Sequence, residues 1–163
     1  MREGEAATSW VVERQREAGI HIPSDGEQLR EAFFLYVQRR MTGFSGKWKR
    51  PHGDELAAYL EYADLRRRQI TNDKSVSNFT PPMATGAVTY ADRDANETEL
   101  KTFAAALNEV GGDFEDAFMP APSPDIVAAA MKNEFYSDED AYLDALADAL
   151  RIEYEAEHKH GYL

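Results

Sequence analysis

Apolar residues recur at helical spacing in several long stretches of this chain and alternate with polar ones in several short stretches. Residues 5–18 contain no helix breaker, and Ala6, Ala7, Trp10, Val11 and Ala18 are helix-compatible up to Gly19, a residue type that ends helices. Ile20 and Ile22 flank one polar residue ahead of Pro23 and Gly26, predicting a short strand that runs into a loop. Leu29, Phe33, Val37 and Met41 then repeat every four residues, which predicts a helix from about Gln28 to Met41. After an irregular basic stretch, Lys47 to Gly53, a third helix is expected from Asp54 or Glu55 to Arg68. There Arg66, Arg67 and Arg68 would complement the dipole at its C-terminal end. Ser75–Thr80 and Thr85–Tyr90 are β-like, as one bent strand or two edge strands. Asn96–Val110 carries Leu100, Phe103, Ala104, Leu107 and Val110 on one helical face and stops at Gly111-Gly112. Phe114–Met119 is a strand candidate, and Asp125–Lys132 a short helix. Ser137 caps a last helix with the stripe Tyr142, Leu143, Leu146, Ala149, Leu150 and Tyr154. Gly161 ends that helix, and Tyr162-Leu163 would begin another strand.

The alternation of helices with short strands predicts parallel strands joined by crossover helices, an α/β architecture in a single domain spanning residues 1–163. Composition supports a packed core: 43% of the 163 residues are hydrophobic. Thirty acidic side chains against 18 basic ones leave a net charge of −12, which argues against a nucleic-acid partner. The apolar runs are far shorter than the ~20 residues of a membrane span, and the N-terminus shows no apolar leader. A cytoplasmic protein is the expectation. With no cysteine, the chain holds no disulfide, no thiolate nucleophile and no thiolate ligand for zinc.

Ligands of parallel α/β folds meet the loops at the carboxyl ends of strands. Three such loops are readable: residues 24–27, 79–83 and 121–124. In the first, Asp25 and Glu27 straddle Gly26. The pair suits gripping a substrate amine, orienting a water or acting as a base. Equally, Asp25 could cap the helix at Gln28 while Glu27 supports its dipole. Ser123, between two prolines, could face a ligand, or could cap a helix with Pro124 at its first position. It has no His–Asp companions that would mark a catalytic triad. His158 and His160 lie two apart, a spacing at which helical residues do not share a face, so they read as solvated cations and not as metal ligands. His21 falls in the predicted first strand, as a core or an interior-facing residue. No metal ligands are assigned within the chain.

Several ordered segments form a larger pattern. Residues 15–20 (QREAGI), 24–28 (SDGEQ), 36–44 (YVQRRMTGF), 118–124 (FMPAPSP), 133–136 (NEFY) and 141–155 (AYLDALADALRIEYE) occur in that order. Together they resemble the catalytic domains of the cobalamin-independent methionine synthase superfamily, particularly its shorter bacterial relatives, which include coenzyme M transferases. The resemblance runs from about Trp10 to Leu163. It implies a TIM barrel in which zinc activates a thiol for methyl or alkyl transfer, and so a methyltransferase acting on a homocysteine-like or coenzyme M-like thiol. It also implies that Glu27 helps to hold the amino-acid substrate, with Asp25 where the synthases carry a histidine. The family's zinc ligands and its Gln-Ile-Asp substrate motif fall in the second half of its barrel, beyond the segments matched here. His21 stands where relatives often have an acid, and Asp125 where a glycine is usual. The expectation is therefore a half TIM barrel, the N-terminal portion without its first strand. Such a half would be inactive by itself and would need a complementary half or self-association. The alternative is a non-catalytic half-barrel that pairs with a complementary chain. Neither reading includes a membrane or nucleic-acid partner.

Overall fold

A computed structural model describes residues 2–48, 58–72, 80–112 and 114–163. Among these residues six helices and two very short strands follow in the order α1 (Arg2–Glu17), α2 (Val37–Arg40), β1 (Phe44–Ser45), α3 (Leu60–Asn72), β2 (Met83–Ala84), α4 (Arg93–Val110), α5 (Pro124–Ala130) and α6 (Glu139–Lys159). The two strands are antiparallel, with Phe44 opposite Ala84 and Ser45 opposite Met83.

This architecture corrects the expected α/β half TIM barrel: the described residues are mostly helical and hold no parallel sheet. Parallel pairing is reduced to single bridges, Ser24 with Phe118 and Ala84 with Asn133. The physical reason is local. Pro23 has no N–H to give a ladder, and the Gln15 side chain takes both backbone groups of Ser24, accepting from its N–H at 3.0 Å and donating to its carbonyl at 2.8 Å. Gly43 bends the chain sharply: at φ 90° a Cβ there would lie 2.6 Å from the Ala87 carbonyl oxygen. The β-like run at Thr85–Tyr90 accordingly forms no strand: β2 precedes it, and only Tyr90 pairs, in an antiparallel bridge with Met41.

The long helices follow from their stripes. Acidic residues open α1 and Arg14 and Arg16 close it, complementing its dipole. Asp92 caps α4 by accepting from the Ala95 N–H at 2.9 Å, and Asp138, not Ser137, caps α6 through Ala141 at 2.8 Å. Pro124 takes the first position of α5, while the Ser123 side chain makes no capping bond. The helix expected over Gln28–Met41 survives only as α2; the preceding residues form successive turns, because Arg30 is drawn inward, as described below. Helix α3 continues to Asn72, so Arg66–Arg68 lie within it and not at its end. The basic stretch from residue 49, the start of the third helix before residue 58 and the segment 75–79 lie outside the described residues.

Two apolar clusters result. One joins Leu35, Tyr36, Val37 and Met41 to Met131, Tyr142, Leu146 and Leu150; the other joins Val12 of α1 to Leu100, Phe103, Met119 and Tyr162. Ser9 and Arg16 add polar ties from α1 to α4, through Glu109 at 2.8 Å and the Val110 carbonyl at 3.0 Å. Among the described residues, no helix is long and apolar enough to cross a membrane.

Candidate functional site

The site is built on the turn that follows the Ser24 bridge. Asp25 Oδ1 accepts the Glu27 N–H at 3.1 Å, and the Glu27 carbonyl accepts the Arg30 N–H at 3.0 Å. Gly26 and Glu27 both adopt left-handed backbone, at φ 63° and 55°. Glycine tolerates this; a glutamate does so against steric strain, and Glu27 is the one non-glycine in that region among the described residues. Its half-buried carboxylate has no hydrogen bond or ion pair to another described residue. Asp25 is only 2% exposed and its Oδ2 has no hydrogen-bond partner. Burial raises its carboxyl above the usual range, against the Glu27 amide and Arg30, which favour the anion. Asp25 therefore braces the turn and does not cap a helix at Gln28.

Behind the turn lies a buried ionic network. Arg30 grips Glu99 with two nitrogens, Nε to Oε1 at 2.8 Å and Nη2 to Oε2 at 3.2 Å, and donates Nη1–H to the Pro120 carbonyl. Arg40 bridges Glu99 and Glu153, reaching Glu153 Oε1 at 3.0 Å, and also donates to Asn96 Oδ1 at 3.3 Å. Both guanidiniums pack on the Tyr36 ring, at 4.4 and 4.6 Å from its centroid. The Tyr36 hydroxyl donates to Glu153 Oε1, and Tyr90 donates to Oε2 at 3.0 Å. These residues come from the elements lining both apolar clusters, so the network fastens one cluster to the other.

Burial opposes ionisation of Glu99, but Arg30 and Arg40 outweigh it and hold the carboxyl below its usual range. Burial likewise opposes the charge on each arginine; Tyr36, Glu99 and Glu153 around Arg30, and Glu153 and Glu99 around Arg40, prevail. Glu157 differs: burial, then Glu153, pushes its carboxyl up to about 8. Two arginines thus bridge Glu99 and Glu153, and Glu157 lies beside them without a hydrogen bond to either.

Ser123 is not part of this constellation. Its hydroxyl bonds Asp125 at the surface, although Pro120 and Pro122 of the same loop are tied inward, Pro122 accepting from Tyr154 at 2.6 Å. His21 pairs with Glu115 at 3.4 Å on the surface, and His160 turns to Glu97 at 3.6 Å. The donor set does not fit zinc. The chain has no cysteine, and among the described residues no three His, Cys, Asp or Glu side chains converge where an ion could sit.

Sequence reasoning finds Asp25 and Glu27 and misses Arg30, Tyr36, Arg40, Glu99, Glu153 and Glu157. The available signal is position: Glu99 adjoins Leu100 on the buried face of α4, while Glu153 and Glu157 continue the stripe of Tyr142, Leu146 and Leu150 on α6. A glutamate on an apolar stripe needs a buried cation. Compared with family models, curated proteins and solved structures, the chain shows no significant match to any.

Proposed function

We propose that the Asp25–Glu27 turn receives the ammonium group of an amino-acid-like thiol, and that the chain supplies substrate-holding residues to a methyl- or alkyltransferase acting on that thiol. The observation that carries this reading is Glu27, held in left-handed backbone with a carboxylate that no described neighbour engages. Strain of this kind collects at binding sites, where the surroundings enforce it. A half-buried carboxylate gives an ammonium charge-assisted hydrogen bonds and repels a sulfonate, which favours a homocysteine-like thiol over coenzyme M. The ordered motifs shared with methionine synthase-like domains support the alkyl-transfer part. Asp25 acts as a positioning residue by fixing the Glu27 amide. Because the residues do not fit zinc, no step is routed through it.

Titration calorimetry with L-homocysteine, its analogue lacking the amino group (mercaptobutyrate) and coenzyme M tests the reading. L-Homocysteine should bind about tenfold or more tightly than the other two, as one charge-assisted bond allows. Glu27→Gln should erase that preference. Equal affinity for all three thiols, or none, overturns it.

A further inference from the structure

One oxygen of the buried network is left over. Glu157 Oε1 lies 3.8 Å from Arg30 Nη2, beyond hydrogen-bond distance, and has no hydrogen-bond partner, although the residue is only 6% exposed. The charged and titratable groups that act on it are Glu153 and Tyr154 from its own helix, Glu99 from α4, Arg40 from α2 and Arg30 from the site turn. Arg30 connects the two regions. Its guanidinium sits between Glu99 and Glu157, while its backbone N–H closes the turn on the Glu27 carbonyl. A neutral Glu157 carboxyl competes weakly for that guanidinium. As a carboxylate less than one ångström beyond bonding distance, it competes strongly with Glu99 for Arg30.

We propose that Glu157 is a proton-operated latch on the Asp25–Glu27 turn: protonated, it leaves Arg30 locked on Glu99 and Pro120, and ionised, it draws Arg30 away and loosens the turn. The step transfers one proton from the Glu157 carboxyl to solvent and breaks no other covalent bond. It rests on the reading of the turn as an ammonium receptor and adds the regulation of that receptor. Burial and Glu153 set the transition near 8, a range in which Tyr36 and Tyr90, both pushed up by burial, stay protonated.

NMR of the full chain from about pH 6 to about pH 10 tests the latch by following the Glu157 carboxyl carbon, the Arg30 Nε–H and the Glu27 amide. The three signals should share one midpoint near 8. Glu157→Gln should keep a dispersed spectrum and lose the step at Arg30 and Glu27. Titration of Glu157 in the ordinary carboxylate range, unlinked movement of the other two signals, or a step that persists in E157Q overturns the latch. Should E157Q fail to fold, the shared midpoint in the unaltered chain decides alone. L-Homocysteine binding separates the two claims: above the midpoint E157Q should bind several-fold more tightly than the unaltered chain, a ratio in which the ligand's own ionisation cancels. Equal affinities there overturn the latch. No binding at any pH, with the shared midpoint present, overturns the receptor and supports the latch.

Discussion

Glu99 and Glu27 both engage Arg30, one through the guanidinium and the other through a backbone carbonyl, yet their surroundings are opposites. Glu99 is buried, bonded at both oxygens, and ionised because two arginines outweigh its desolvation. Glu27 is half-buried and strained, and among the described residues its carboxylate has no hydrogen-bond or ion-pair partner. A carboxylate bonded at both oxygens has little capacity left for a ligand; one that bonds no neighbour contributes little to folding. The network thus serves stability and leaves the turn to the proposed recognition, with Arg30 the one residue, among those described, in both.

The sharpest way to break this contrast is to remove each glutamate in turn. Glu99→Ala takes both carboxylate bonds from buried Arg30 and one from Arg40, and should cost about 3–5 kcal/mol in urea unfolding. Glu27→Ala should change stability by no more than about 0.5 kcal/mol, as a solvent-facing substitution does. Comparable losses would show that the turn is also structural.

The next effect is in pH. The folded Glu157 carboxyl lies near 8 against an ordinary value of 4.5, so its contribution to stability is complete below 4.5 and is lost as pH rises through 8. Glu99, held low, acts in the opposite sense: its contribution is present above its ordinary value and disappears as pH falls. Thermal or urea unfolding should therefore weaken at both ends. E157Q should flatten that loss, which accrues between about 4.5 and about 8 and amounts to a few kcal/mol at about 1.4 kcal/mol per pKa unit. A slope between about 4.5 and about 8 unchanged in E157Q would assign it to another group.

How much of this was legible beforehand depends on what each segment needs from the rest of the molecule. Helices α4 and α6 carry stripes long enough to specify themselves, and both appear where their periodicity puts them. The short β-like runs had no such independence; their pairing is decided by Pro23, Gln15 and Gly43, and a strand pattern of four to six residues does not reveal a side chain that occupies its backbone. The four-residue repeat over Leu29–Met41 was misleading for a tertiary reason. Burying Arg30 against Glu99, with Leu35, Tyr36 and Val37 buried in succession, requires a winding that a regular helix cannot provide. In the site, the acid–glycine–acid spacing exposed Asp25 and Glu27. Their support was hidden because Arg30 and Glu99 are 69 positions apart.

A smaller test addresses how Tyr36 holds the arginines. Tyr36→Phe keeps the ring beneath both guanidiniums and removes the hydroxyl that Glu153 accepts from. The expected loss is about 1.5–3 kcal/mol, the range for a hydrogen bond to a charged group. No loss would place the worth of Tyr36 in its ring alone.

A further effect should carry the opposite sign. Glycine at position 27 relieves the left-handed strain, and although its backbone loses more entropy on folding, Glu27→Gly should stabilise the chain by about 1 kcal/mol. The same change should abolish any preference for an ammonium-bearing thiol. Glu27→Gln separates the two contributions, because it keeps the strain and removes only the charge. If glycine raises the urea midpoint and glutamine does not, while both lose the preference, then the strain is maintained for the carboxylate it presents. If glycine lowers the midpoint, the left-handed glutamate stabilises its own turn, and recognition is not the reason the strain is there.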